Sequence, residues 1–165
     1  MIAAAPGVDA TAELRCRLAD FYAAYDDALG EADYERWPSF FTEACVYKII
    51  SRENYDAGLP LGLMQAESRA MLTDRVAALR KTTLYAPRLV RRLVGSIVLS
   101  AIEAHGMRLS ASFALFQTML NEPSQVFLCG RLYDRVIDDD GALRLAERIC
   151  VTDATLVPIS LVFPI

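Results

Sequence analysis

The sequence predicts an α+β fold in which a curved antiparallel sheet wraps around N-terminal helices. Three observations carry this. Apolar residues near the N-terminus repeat at helical spacing. From Arg91 to Val151 the period changes to two, over three or four long stretches. The breaks between those stretches are short and turn-like: His105-Gly106, Asn121-Glu122-Pro123-Ser124 and Asp138-Asp139-Asp140-Gly141. A Gly after Asp takes the positive φ of a tight hairpin turn. Strands joined directly by such turns make an antiparallel meander. Helices that precede a run of strands pack on one face of the sheet.

Taken in order, residues 1–8 are expected to be a loose tail and residues 9–165 a single domain. Asp9 or Thr11 can cap a helix. Leu14, Leu18, Phe21, Tyr22, Tyr25 and Leu29 then share one helical face, and Gly30 fits its end. A short helix over Asp33 to Trp37 is expected to stop at Pro38. Thr42 to Ile50 predicts the first strand, with Cys45, Tyr47 and Ile49 opposite Val46, Lys48 and Ile50. Arg52 to Leu63 has the composition of a loop. Glu67 to Arg80 predicts a helix with Met71, Leu72, Val76 and Leu79 inward, and Ala86-Pro87-Arg88 breaks it from the sheet.

Within the sheet, Arg91 to Ile102 places Leu93, Gly95, Ile97 and Leu99 on one side. Arg92, Val94, Ser96, Val98 and Ser100 face the other way. Met107 to Leu120 sets Leu109, Ala111, Phe113 and Leu115 against Arg108, Ser110, Ser112 and Ala114. Val126 to Ile137 and Leu143 to Val151 continue the meander. A last strand is expected from Thr155 to Phe163. Such a sheet, curled about the long helix, makes a cone with an open end, by analogy a nuclear-transport-factor-2-like shape.

A chain of 165 residues is long enough to bury one sizeable core. Its hydrophobic content of 54% and mean hydropathy of +0.26 fit either a thick core or a surface covered by partner subunits. A net charge of −4 and a pI near 5.0 argue against nucleic acid, which wants a basic field. Met1 to Pro6 lacks the pattern of a signal peptide, and no apolar run is long enough to span a bilayer. The expected compartment is cytoplasmic. Cysteines stand at 16, 45, 129 and 150 without a CxxC pair, so they are expected to be reduced and not to hold zinc.

Chemistry is bounded by the single histidine, His105. A Rieske cluster needs two histidines and two cysteines. A mononuclear non-haem iron site usually needs two histidines and a carboxylate. Neither is built in the usual way from one imidazole. A cone-fold acid–base enzyme, an isomerase, dehydratase or cyclase, is the alternative, with Tyr22, Tyr25, Tyr47, Asp20 and Asp26 as candidates. The same tyrosines also fit a core whose hydroxyls need one partner each. A plain ligand-binding module is a third class. Arg131, Asp134, Arg135, Arg144, Glu147 and Arg148 put charge inside adjacent strands, fitting either cross-strand ion pairs or a subunit contact.

An ordered set of motifs resembles a known family. The pieces are Trp37-Pro38-Ser39-Phe40-Phe41-Thr42, Tyr47, Arg52-Glu53-Asn54-Tyr55 and Gly58-Leu59-Pro60. Met71-Leu72-Thr73-Asp74-Arg75-Val76, Tyr85 and Arg91-Arg92 follow. Gly130-Arg131-Leu132-Tyr133-Asp134, Leu143-Arg144-Leu145-Ala146-Glu147-Arg148 and Asp153 complete it. Together they resemble the small (β) subunits of Rieske-type aromatic-ring-hydroxylating dioxygenases. Within that family the set looks most like the members that act on salicylate and terephthalate, and Arg52 to Tyr55, Gly58 to Pro60 and the ending Phe163-Pro164-Ile165 lean toward the salicylate 5-hydroxylases.

The resemblance implies a non-catalytic subunit with no cofactor of its own. It implies a large (α) oxygenase subunit that carries a Rieske [2Fe–2S] cluster and mononuclear non-haem Fe(II). It also implies a three-plus-three hetero-hexamer with self-associating small subunits, fed with electrons by a reductase or ferredoxin. Because Trp, Tyr and Arg dominate interface energetics, the expected contact residues are Trp37, Tyr47, Arg52, Asn54, Tyr55, Arg88 and Arg131.

Overall fold

The computed structural model describes residues 8–81, 86–154 and 161–165. A long helix α1 (Val8–Gly30) leads through a turn into a 310 segment, Trp37–Phe40, and strand β1 (Phe41–Ser51). One helical turn, α2 (Arg52–Asp56), a short strand β2 (Met64–Ala66) and helix α3 (Arg69–Lys81) follow. Four long strands complete the domain: β3 (Arg88–Glu103), β4 (Gly106–Met119), β5 (Gln125–Asp139) and β6 (Ala142–Thr152). Among the described residues no helix is long and apolar enough to cross a membrane.

The six strands form one sheet in the order β2-β1-β6-β5-β4-β3. The meander β3 to β6 is antiparallel throughout, joined by the turns that the sequence marks. The β1–β6 pairing is parallel, so the sheet is mixed at this one seam. The chain reaches the meander from β1 through α3 instead of a hairpin, which leaves the sense of pairing free. Register shifts between Gly95 and Val98, Leu115 and Phe116, and Arg135 and Val136 bend the strands. Each such bulge adds local twist. The curved, unclosed sheet thereby cups α1 as an open cone.

Leu18, Phe21, Tyr22, Tyr25, Ala28 and Leu29 of α1 are buried in that cup. From the sheet come Tyr47, Ile49, Leu109, Ala111, Phe113, Leu115, Leu128, Leu132, Val136 and Leu145. The side-chain period of two gives β4 the inward face expected of it, Leu109 to Leu115.

Several local expectations change. Helix α1 is described from Val8 onward, so Asp9 and Thr11 lie within it and not ahead of it; the rest of the expected tail, residues 1–7, lies outside the described residues. Pro38 does not end a helix: it occupies the first turn of the 310 segment, where its missing N–H costs nothing. Arg52 to Leu63 is not wholly loop, because Ser51 accepts from the Asn54 amide and caps α2. Met71 is 46% exposed: α3 starts at Arg69, so Met71 stands in its first turn ahead of the buried Leu72, Val76 and Leu79. In β3 the inward residues are Val90, Arg92 and Val94, and after the bulge at Ser96 (φ 53°) the phase passes to Leu99. Residues 155–160 of the expected last strand lie outside the described residues, and Leu161 to Phe163 are irregular.

Candidate functional site

Inside the cone the inward faces of α1, β5 and β6 meet at a buried ion pair. Asp134 and Arg148 are register partners on β5 and β6 and in phase with the apolar inward positions. Arg148 donates from Nε to Asp134 Oδ1 (2.9 Å) and from Nη2 to Oδ2 (2.7 Å). The Tyr22 hydroxyl donates to the same carboxylate. The guanidinium lies 4.1 Å from the Tyr25 ring centroid and 5.3 Å from that of Tyr22. Two buried charges thus find a bidentate partner, a third donor and aromatic faces, the conditions under which such a pair is tolerated.

A second set of bonds ties the cone's mouth together. Trp37 Nε1 donates to the Tyr25 hydroxyl (2.8 Å), which donates to the Ile165 carbonyl (2.9 Å). The Ile165 amide donates to the Tyr47 hydroxyl (2.8 Å). Arg92 reaches the Pro164 carbonyl (3.3 Å) and lies 3.4 Å from Asp26.

Burial governs the acid–base character of these groups. It pushes the Tyr22 hydroxyl up, and the Asp134 charge adds to the effect. It raises Tyr25 and Tyr47 as well. The Asp26 carboxyl is also raised by burial, against the pull of Arg92. The Tyr22 phenol is engaged with Asp134, and that carboxylate with Arg148. Tyr22, Tyr25, Tyr47 and Asp26 of the candidate set do come together here, while Asp20 is exposed on α1. Asp134 and Arg148, seen in the sequence only as strand charges, hold the centre. Their spacing from Leu132 and Val136 on β5, and from Cys150 on β6, was the signal of burial.

The expected contact residues divide. Trp37 and Tyr47 are fully buried, so they are core residues of this chain and offer no surface to a partner. Their aromatic bulk packs edge to face with Phe41 and each other inside the domain. Arg52, Asn54, Tyr55 and Arg131 gather on the outer face near Tyr133. Tyr55 stacks on Tyr133 (5.3 Å, 7°), Arg52 pairs with Asp153 (2.9 Å), and Asn54 Nδ2 donates to the Leu61 carbonyl (3.0 Å). Arg131 donates to Ser110 Oγ (3.3 Å). Arg88 lies apart at the β3 edge, bonded to Gln117 (2.8 Å).

The outer surface also carries apolar groups that the sequence reading passed over. Leu93, Ala114 and Cys129 stand side by side across β3, β4 and β5, with Arg91, Phe116 and Val126 in the next row. Leu89 and Leu93 are each 62% exposed and Val126 63%. A cleft of about 430 Å³ opens beside Leu89, Met119 and Leu120. At the opposite edge of the sheet Leu59, Leu61 and Leu63 are exposed beside β1 and β2. The sequence signal was present: Leu89 and Leu93 alternate with Val90 and Val94, so part of β3 is apolar on both faces. A strand of that kind is normally covered on both sides, and α1 covers only one.

The cone is filled by its own side chains, and apolar surface stands uncovered at both sheet edges. Residues 26–158 match the family described as ring hydroxylating beta subunit. Over 149 residues the chain is 34% identical to the beta 2 subunit of the terephthalate 1,2-dioxygenase terminal oxygenase component of a Comamonas species, covering 90% of this chain and 97% of that one. It is 33% identical over 131 residues to the anthranilate 1,2-dioxygenase small subunit of Burkholderia cepacia, covering 79% and 81%. The crystal structure of a β subunit assigned to an aromatic-ring-hydroxylating dioxygenase of Novosphingobium aromaticivorans superposes with a TM-score of 0.85 at 35% identity, covering 94% of this chain and 99% of that one. The chain belongs to the ring-hydroxylating β-subunit family.

Proposed function

We propose that this chain is the non-catalytic small subunit in the oxygenase component of an aromatic-ring hydroxylase acting on a carboxylated ring. The observation that carries the proposal is the family match across most of the chain, to small subunits of oxygenases named for terephthalate and anthranilate. The buried Asp134–Arg148–Tyr22 cluster is compatible with it, since its carboxylate is bonded to both the guanidinium and the phenol.

The redox groups of such an oxygenase do not fit this chain's donor set. Its one histidine is exposed on the β3–β4 turn. Among the described residues no three His, Cys, Asp or Glu side chains gather as metal ligands. A Rieske [2Fe–2S] cluster and a mononuclear non-haem iron therefore belong to the large subunit, which receives electrons through a reductase or ferredoxin. This chain supplies surface. Two different apolar patches at opposite sheet edges suit head-to-tail contacts that close a ring, and three small with three large subunits is the assembly proposed. A cytoplasmic location agrees with four cysteines, all free.

Co-expression with the large subunit tests this. The complex is expected to contain iron and acid-labile sulfide and, when supplied with O2, a reductase and its nicotinamide electron donor, to hydroxylate salicylate or terephthalate; the chain alone under the same conditions is expected to contain neither and to turn over neither. A lone chain that oxidised either acid, or that failed to co-purify with its large subunit, would overturn the proposal.

A further inference from the structure

The mouth of the cone is closed in an unusual way. Leu161 to Ile165 form neither helix nor strand, yet Phe163 and Ile165 are buried as deeply as the core. A backbone segment in a sheet protein ordinarily satisfies its amides through the ladder. Here side chains read them instead. Tyr25 donates to the Ile165 carbonyl, the Ile165 amide donates to Tyr47, and Arg92 donates to the Pro164 carbonyl. The Phe163 ring lies 5.7 Å from that of Phe127. The segment sits in the mouth as a ligand sits in a pocket.

The pocket is also incompletely satisfied by what fills it. The Arg92 side chain is 3% exposed, yet its Nε and Nη1 have no hydrogen-bond partner. Asp26 Oδ1 forms an ion pair with Nε at 3.4 Å, out of alignment for a hydrogen bond, and accepts no hydrogen bond from elsewhere. Buried N–H groups of a guanidinium are rarely left open. A peptide carbonyl offers Arg92 one acceptor; a carboxylate offers two in the fork geometry that a guanidinium matches.

We infer that the cone's mouth is a binding site for a small aromatic carboxylic acid, held shut by the chain's own Phe163–Ile165. Arg92 takes the carboxylate, the Tyr25 and Tyr47 hydroxyls donate to the same head group, and the ring fills the volume of the Phe163 and Ile165 side chains against Phe127. This inference concerns the small subunit alone and does not depend on its assembly.

The test uses sodium benzoate as probe, with calorimetric titration and the fluorescence of Trp37, whose indole N–H bonds to Tyr25. Three proteins are compared: the full chain, the chain shortened to end at Val162, and the full chain carrying Phe163→Ala and Ile165→Ala. Each opened form is expected to bind benzoate saturably, at least about tenfold tighter than the full chain. Benzamide, which lacks the charge, is expected to bind about tenfold more weakly than benzoate, and Arg92→Met in the opened background to erase that preference. Folded opened forms without saturable binding, or binding unchanged by Arg92→Met, would sink the inference. So would failure of both opened forms to fold, since the segment would then be core and not an occupant.

Discussion

Asp134 and Arg148 show how much one pair of side chains decides. Removing one member leaves a buried charge without compensation, which costs about 3–5 kcal/mol. Asp134→Ala is therefore expected to lose that much in urea denaturation. Asp134→Leu combined with Arg148→Met is expected to recover most of it, because an apolar pair of similar volume removes both desolvation costs at once. A single-variant loss below about 1 kcal/mol would mean that water reaches the guanidinium, as at exposed pairs. The sequence offered these two residues as strand charges and left open whether they pair or meet a partner chain. Alternation placed them in phase with buried neighbours, but charge spoke for the surface. The tie was broken by Tyr22 and Tyr25 of α1, remote in sequence from both strands (112 residues separate Tyr22 from Asp134) and brought beside them only once the sheet has curled.

At the level of the element, legibility followed the length of the periodic signal. Helix α1 and strands β4, β5 and β6 were readable because each repeats its pattern many times, and the hairpins between them carry turn residues. Strand β2 spans only Met64–Ala66, and α2 is a single turn, too short for a period to register. The face of β3 was lost at its bulges, where a positive φ at Ser96 resets the alternation. The parallel β1–β6 seam is long-range in sequence and leaves no local mark. Of the expected contact residues, Trp37 and Tyr47 were misplaced because large aromatics serve cores and interfaces alike. The β5–β6 pairing depends on one small residue. A Cβ on Gly130 would lie 2.0 Å from the Val151 carbonyl oxygen. Gly130→Ala is expected to cost roughly 3 kcal/mol, the upper end for overpacking, as the strands part. The amides of Thr152 and Asp153, at the end of this seam, should then lose hydrogen-exchange protection before those of α3. An unchanged urea midpoint would show that β6 shifts freely there.

For the whole molecule the question is which surface is covered in the assembled oxygenase. The face built on Leu89, Leu93, Phe116 and Val126 is apolar, contiguous across three strands and left open by α1. Lys in place of Leu93 adds a charge there without touching the core. Leu93→Lys is expected to shift the monomer's stability by no more than about 0.5 kcal/mol, while weakening assembly by more than about tenfold, the scale of a modest interface residue. Sedimentation against concentration measures the second quantity and thermal unfolding the first. The thiols give an independent footprint. Cys129 lies on this face beside Ala114 and is exposed, as is Cys16 on α1. Cys150 is buried, and burial pushes its thiol up to about 12. Thiolate is the reactive form, so Cys150 should stay inert to a thiol reagent at neutral pH in every folded state. In the lone chain Cys129 should react as readily as Cys16. In the complex with the large subunit Cys129 should be protected, and Leu93→Lys should restore its reactivity. If Cys129 reacts as fast in the intact complex as alone, this face is not an interface, and the Leu59–Leu63 edge becomes the surface to which the partner chains must hold.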